Sequence, residues 1–283
     1  MPYYLTTCAI FRDEAPYLRE WLEFHLLAGV EHFYLYNNFS ADDFRDVLEP
    51  YIRRSLVTLT DWPVHIGQTQ AYDHCLKAAR NAARWIAFID IDEFLFSPLQ
   101  DDLKPVLKEF EQYSAVVANW VNFGSSGHER QPDGLVIANY TRRGPLDVLV
   151  PFQPLDKRGQ PSGPMIHKPF NQTIKSIVDP TRTRSARNPH CFNYSRGGAV
   201  DENYTPVSRA ETSGVSVNRL RVNHYFSKSQ QECRAKFARG RADAQVSRKW
   251  EEFLLSDQCL NSETDEAILR FVEPLEKALG RAR

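Results

Sequence analysis

Asp90-Ile91-Asp92 lies near the end of an apolar run, residues 85–94, that contains no glycine or proline. Such a run reads as a strand buried on both faces, as in a parallel sheet. Alternate strand side chains share a face, so Asp90 and Asp92 point one way and Ile91 the other. Uncompensated, two neighbouring carboxylates raise each other's pKa, and a divalent cation removes the conflict. Oxygen ligands of this kind suit Mn²⁺ or Mg²⁺. Open α/β sheets gather their ligands beyond the carboxyl ends of the strands. The pair therefore predicts a metal-assisted site that holds an anion. The plainer alternative is an N-cap beside a surface turn residue.

The elements that must position this pair alternate. Residues 3–11 read as a strand, and the polar turn Arg12-Asp13-Glu14 follows, with Asp13 as N-cap and Pro16 in the first helical turn. Tyr17, Leu18, Trp21, Leu22, His25 and Leu26 recur at helical spacing, and Gly29 ends the helix. Residues 32–36 form a second strand ending at Asn37-Asn38, a short helix spans 42–48, and 56–59 is a third strand. A helix over 68–83 leads into the acidic strand. Alternation with short connections implies βαβ units and a parallel sheet. Neither a G-x-G-x-x-G fingerprint nor a P-loop is present. Beyond Ser97 a strand at 115–123 runs into Gly124-Ser125-Ser126-Gly127-His128. Residues 144–206 are dense in proline, glycine and basic residues and read as loops around the site. A strand at 220–226 and helices from Gln230 and over 264–279 complete the chain.

At 283 residues the chain is long enough for a substantial core. A net charge of −1 gives no global field for nucleic acid. The five scattered cysteines form no C-x-x-C pair, which suggests neither a zinc site nor a disulfide framework and points to a reducing compartment. No basic leader and no membrane-spanning apolar run is present, so a cytoplasmic location is expected. Association with a membrane through another protein or a lipid-linked acceptor stays open.

In these pieces the sequence resembles glycosyltransferase family 92. The resemblance rests on Arg12-Asp13-Glu14 through Tyr17-Leu18-Arg19-Glu20-Trp21, on Gly29-Val30-Glu31-His32-Phe33-Tyr34-Leu35-Tyr36-Asn37-Asn38 and on Asp90-Ile91-Asp92-Glu93-Phe94. Phe123-Gly124-Ser125-Ser126-Gly127-His128 and Asn223-His224-Tyr225-Phe226-Ser227-Lys228-Ser229 complete five ordered motifs. It implies an α/β GT-A fold, a Rossmann-like, mostly parallel sheet flanked by helices, with a helical C-terminal extension. The catalytic domain would span residues 1–229, with a nucleotide-binding half to 97 and an acceptor half from 98, and the extension 230–283. The implied donor is a UDP-sugar, with galactose moved to a glycan or other hydroxyl acceptor, by inversion.

The resemblance also implies roles. Asp92 would meet the ion, Asp90 the ribose or a metal-bound water, and His224 would complete the metal shell; a histidine of the core is the alternative. Lys175, Lys228, Lys236 and Arg239 are candidate diphosphate partners, of which only one or two would touch phosphate. Thr7, Phe11, Arg12, Glu14, Asn37 and Asn38 lie where such a sheet receives uridine, although Asn37-Asn38 equally suits a turn. Gln68 and Asp73 face the same crevice, or Asp73 makes only local helix contacts. Gly124, Ser125 and Ser126 would let a sugar approach the main chain, with Trp120 and His128 as stacking and hydroxyl contacts; an ordinary turn is the alternative. An inverting transfer needs a carboxylate base. Glu129, Asp133, Asp201 and Glu202 are candidates, and Asp201 and Glu202 are preferred. Two rival readings are a phosphotransferase of the haloacid dehalogenase type, whose acidic pair closes the first strand, and a non-catalytic nucleotide- or sugar-binding module.

Overall fold

The computed structural model describes residues 2–280 except 155, 157–159, 161 and 241–249. β1 (Tyr3–Phe11), α1 (Ala15–Leu27), β2 (His32–Asn37), α2 (Phe44–Arg53), β3 (Val57–Asp61), α3 (Gln68–Ala79) and β4 (Ala83–Phe88) alternate as expected. β1 lies parallel between β2 and β4, and β3 is parallel to β2. Helices cover both faces because side chains on both faces of the strands are apolar. Leu5, Ala9 and Phe11 of β1 pack in the cluster of Trp21, Phe24 and Phe94, whereas Cys8 and Ile10 pack with Tyr36, Tyr72 and Phe88. This is the period-two division of a doubly covered strand.

Two local expectations change. Asp13 does not cap α1: it sits at φ +50° and accepts the Ala41 N–H at 2.7 Å. Asp42 reaches over instead and accepts the Ala15 N–H at 2.8 Å, satisfying one of the helix's orphan donors. The acidic strand is in fact two strands. β4 stops at Phe88, residues 89–92 turn, and the chain leaves as β5 (Glu93–Phe96). Both halves are buried, so hydropathy carries no mark of the turn between them.

After α4 (Lys104–Lys108), β6 (Ala115–Asn122) and α5 (Val136–Asn139), the stretch read as loops holds a series of short strands. β7 (Arg142–Arg143) lies just before this stretch, and within it are a hairpin of β8 (Leu149–Phe152) and β9 (Ile166–Pro169), then β10 (Ile174–Val178). A second hairpin of β11 (Thr183–Ala186) and β12 (Phe192–Tyr194) precedes β13 (Ala199–Val200) and β14 (Pro206–Val207). β10 inserts antiparallel between β4 and β6, in a sheet that among the described residues has eight strands in the order β14-β13-β6-β10-β4-β1-β2-β3 and two more, β5 and β15 (Arg221–His224), off this path. Its five residues, with a lysine second, are too short and mixed to stand out by periodicity.

β15 (Arg221–His224) runs parallel to the second half of β6 and antiparallel to β5. That register sets His224 opposite both Glu93 and Asn122, at the edge where β1 and β4 also end. α6 (Gln230–Arg239) follows, started by a capping box of Ser229 and Glu232. α7 (Trp250–Cys259), β16 (Glu263–Thr264) and α8 (Val272–Ala278) close the chain. Phe271, just before α8, packs on Phe24 of α1 at 4.9 Å between ring centroids. Among the described residues no helix is long and apolar enough to cross a membrane.

Candidate active site

The turn after β4 delivers three carboxylates to one place, and two lysines meet them. Lys175, central in the sheet and 1 % exposed, contacts Asp90 at 2.7 Å and Glu93 at 3.2 Å. Gln68 at the start of α3 donates to the other Asp90 oxygen at 2.9 Å. Glu93 also accepts the Asp90 N–H at 2.8 Å, which ties the turn together. Asp92 is contacted by the Lys236 ammonium and lies 3.6 Å from His224 Nε2. The acidic pair is therefore already partly compensated within the chain, by Lys175 and Lys236.

Burial sets the protonation states. It pushes the Glu93 carboxyl up, against the pull of Lys175. It would do the same to Asp92, but Lys236 and His224 outweigh it and hold Asp92 well below the usual carboxylate range. Burial lowers His224, outweighing Asp92, so the imidazole is neutral beside a charged carboxylate. Its Nδ1 faces Asn122 Oδ1 at 2.7 Å. Asn122 directs its NH₂ to the Phe170 carbonyl at 3.2 Å, so its oxygen must accept and His224 Nδ1 must carry the proton. The Nε2 lone pair then points toward the carboxylates.

These residues fit a divalent cation. Ligand atoms of Asp92, Glu93 and His224 all lie within 4.8 Å of one another. Glu93 Oε1 is buried with no hydrogen-bond partner, a cost normally relieved by a ligand or ion. Two carboxylates and a neutral imidazole make a donor set for Mn²⁺ or Mg²⁺. Glu93, part of the same motif as Asp90 and Asp92, thus belongs with Asp92 and His224.

The cleft above is lined by Phe11, Arg12, Glu14, Gln68, Asp90, Asp92, Trp120, His190, His224, Phe226, Lys236, Phe237 and Arg239, among others. Trp120 lies against the His224 ring at 4.1 Å between centroids. Lys236 and Arg239 project from one face of α6, as their three-residue spacing requires. Arg239 pairs with Glu14, whose carboxyl burial pushes up against that attraction. Arg12 donates to the Asn38 carbonyl and side-chain oxygens, both at 2.7 Å, and to the Arg239 carbonyl at 3.2 Å.

Several expected site residues lie elsewhere. Thr7 is in the middle of β1, fully buried, and lines no part of the cleft. Asn37 bonds Asp61 and Ser40, and Asn38 bonds Trp62, Val64 and Arg12, so they build the turn and hold Arg12. Asp73 accepts the Ala186 N–H at 2.6 Å and fastens α3 to the β11–β12 hairpin. Lys175 lies beneath the carboxylates, not against the cleft. Lys228 stacks its ammonium on Tyr17 at 3.9 Å, outside the cleft.

The loop after β6 does not face the cleft either. Ser125 donates to Asp257 from its N–H at 2.6 Å and its hydroxyl at 2.7 Å, and Ser126 N–H donates to Asn261 at 2.8 Å. A Cβ on Gly124 would strike Asn261 and the Leu260 carbonyl, so the glycine admits the C-terminal segment rather than a sugar. His128 contacts the Asn139 carbonyl at 3.3 Å. Glu129 and Asp133 are exposed outside the cleft.

The preferred bases are also displaced. Glu202, 2 % exposed, accepts from the N–H groups of Asn218, Arg219 and Leu220, each at 2.7 Å, and from Ser216. Asp201 accepts the Asn203 and Thr205 N–H groups at 2.9 Å each. Both anchor loops at the β13 end of the sheet, where buried or turning backbone needs acceptors.

A mostly parallel α/β sheet, with acidic and histidine side chains gathered beyond its carboxyl edge and basic residues over the cleft, defines the GT-A class. The family profile of Glycosyltransferase family 92 matches residues 3–268, and the chain belongs to that family. A family 92 protein of Oryza sativa subsp. japonica is 34% identical over 143 residues, 49% of this chain and 24% of the relative. A galactan beta-1,4-galactosyltransferase of Arabidopsis thaliana is 33% identical over 103 residues, 33% of this chain and 21% of the relative. The chain spans about a quarter of the length of such family 92 relatives, 24% and 27% in two cases. The solved structure of S. aureus TarS 1-349 in complex with UDP aligns with a TM-score of 0.35 and 14% identity, over 49% of this chain and 40% of that one.

Proposed function

We propose that the chain is a metal-dependent glycosyltransferase that moves galactose from a UDP-sugar to a hydroxyl of a glycan acceptor, with inversion. The observation that carries this reading is the convergence of Asp92, Glu93 and His224 within 4.8 Å at the carboxyl edge of the sheet. The names of the Arabidopsis relatives, galactan beta-1,4-galactosyltransferases, support galactose and a β linkage.

In this reading Asp92, Glu93 and His224 hold a Mn²⁺ or Mg²⁺ ion, which when bound supplies Lewis-acid stabilisation for the departing diphosphate. Lys236 and Arg239 meet the phosphates, with Arg12 held beside them by Asn38. Phe11 and Phe237 give the nucleoside apolar walls. Gln68 and Lys175 fix Asp90 for the ribose or a water molecule. Trp120 and His190 border the sugar end, and the buried Trp120 Nε1, without a protein partner, is available as a donor to a sugar hydroxyl. Preorganised charge of this kind acts without reorganisation as the leaving group departs.

The test is release of UDP from UDP-galactose with Mn²⁺ and β-1,4-galactan oligosaccharides. Asp92→Ala is expected to lower transfer by roughly 100-fold or more. Transfer by Asp92→Ala at the wild-type rate would sink the metal role. UDP binding with no turnover of any UDP-sugar across a panel of acceptors would favour a binding module of the same fold.

A further inference from the structure

The carboxylates of the acidic turn have two ammonium partners of different character. Lys175 is 1 % exposed and held between Asp90 and Glu93. Lys236 sits at the other end, on Asp92, with 24 % of its side chain exposed and donating also to the Phe226 carbonyl at 3.0 Å. The Phe226 ring lies 4.7 Å from its ammonium. Moving Lys175 would strand the buried Glu93 carboxylate, whereas Lys236 lines the open cleft and is partly exposed. The start of the helix that carries it is anchored. Ser229 and Glu232 cap its start, and Tyr17 and Tyr140 both donate to Glu232.

Asp92 is therefore contested, since the lysine already occupies the oxygen nearest His224 Nε2. A divalent ion beside an ammonium on one carboxylate is repelled by it. A diphosphate removes the conflict by offering the ammonium new oxygens within the same cleft, next to Arg239 and Arg12.

We propose that Lys236 is an exchangeable counter-ion: it neutralises Asp92 in the ligand-free protein and transfers to the diphosphate when donor and cation arrive. This rests on the donor reading above and adds a consequence to it. Cation and nucleotide bind with positive coupling, and by linkage each tightens the other by the same factor. Lys236 is thus a positioning residue that suppresses cation binding until the nucleotide is present.

The experiment is titration of Mn²⁺, followed by the EPR signal of the free ion, with and without UDP. Wild type, Lys236→Met, Lys236→Gln and Lys236→Arg are compared, each checked by circular dichroism and urea midpoint. UDP is expected to tighten Mn²⁺ on the wild type by about 10-fold or more, within the usual range of coupling. Lys236→Met and Lys236→Gln should bind Mn²⁺ alone roughly 10-fold tighter than wild type and show a UDP effect smaller than that of wild type. Lys236→Arg keeps the charge and should retain the wild-type pattern. If both neutral variants bind Mn²⁺ alone no tighter than wild type, while wild type binds it with UDP, the exchange is wrong and the donor reading stands. If wild type binds Mn²⁺ under neither condition, the donor reading fails and the exchange with it.

Discussion

Asn122 Oδ1 and His224 Nδ1 face each other at 2.7 Å across the β6–β15 ladder. The asparagine is itself pinned by Phe170 and Asn171, so the imidazole has one orientation and one tautomer. Removing such a partner of a metal-ligating histidine costs about 10–100-fold in metal affinity. Asn122→Ala should weaken Mn²⁺ by that factor in an EPR titration with UDP present, and activity lost to EDTA should need correspondingly more Mn²⁺ for recovery. An unchanged affinity would remove His224 from the ligand set.

Lys175 offers a test of stability. Its ammonium is the buried partner of both Asp90 and Glu93. Lys175→Met nearly keeps the length of the side chain but leaves the buried Glu93 and the part-exposed Asp90 without a cation. Breaking a buried pair from one side costs about 3–5 kcal/mol. Urea unfolding is the measurement, and a loss below about 1 kcal/mol would mean that the pair carries little.

Glu202 and Asp201 separate anchoring from catalysis. Glu202→Ala leaves the buried Leu220 N–H without its acceptor and removes the partner of the Asn218 and Arg219 N–H groups nearer the surface, at a cost of about 1–3 kcal/mol. Asp201→Asn keeps the acceptor for Asn203 and Thr205 and should leave kcat unchanged. A large fall in kcat for Asp201→Asn at unchanged stability would return it to the catalytic machinery.

The pH dependence of stability has a defined contributor in His25. Burial lowers it from 6.5 to about 3, against its bond to the Trp21 carbonyl. Between those values the unfolded chain takes up a proton that the folded chain refuses. Stability is therefore fully present above 6.5 and falls as pH drops toward 3, by about 1.4 kcal/mol per pH unit from this group. Urea midpoints of wild type and His25→Gln across that window should converge as the pH falls. Parallel profiles would show that His25 does not carry the slope.

The sequence by itself determined the alternating half of the fold and the family. Strand and helix periods over β1 to α3 are local properties of residue type, and so is the placing of Asp90 and Asp92 beside a buried strand. The family was legible because five short motifs keep their order along the chain. Tertiary structure decided which groups meet. Lys175 reaches Asp90 across 85 residues because β10 inserts between β4 and β6, and Lys236 reaches Asp92 across 144 because α6 follows β15. Strand order and register, not local pattern, choose such partners. The same long-range pairing brought Glu93 beside His224, gave Asn122 its role, set Glu202 to hold the backbone of residues 218–220, and set the Gly124–Ser126 loop against the C-terminal segment. A carboxylate or glycine reads alike in sequence whether it faces a ligand or a neighbouring chain segment, because its type records what it is able to bind and its surroundings decide what it does bind.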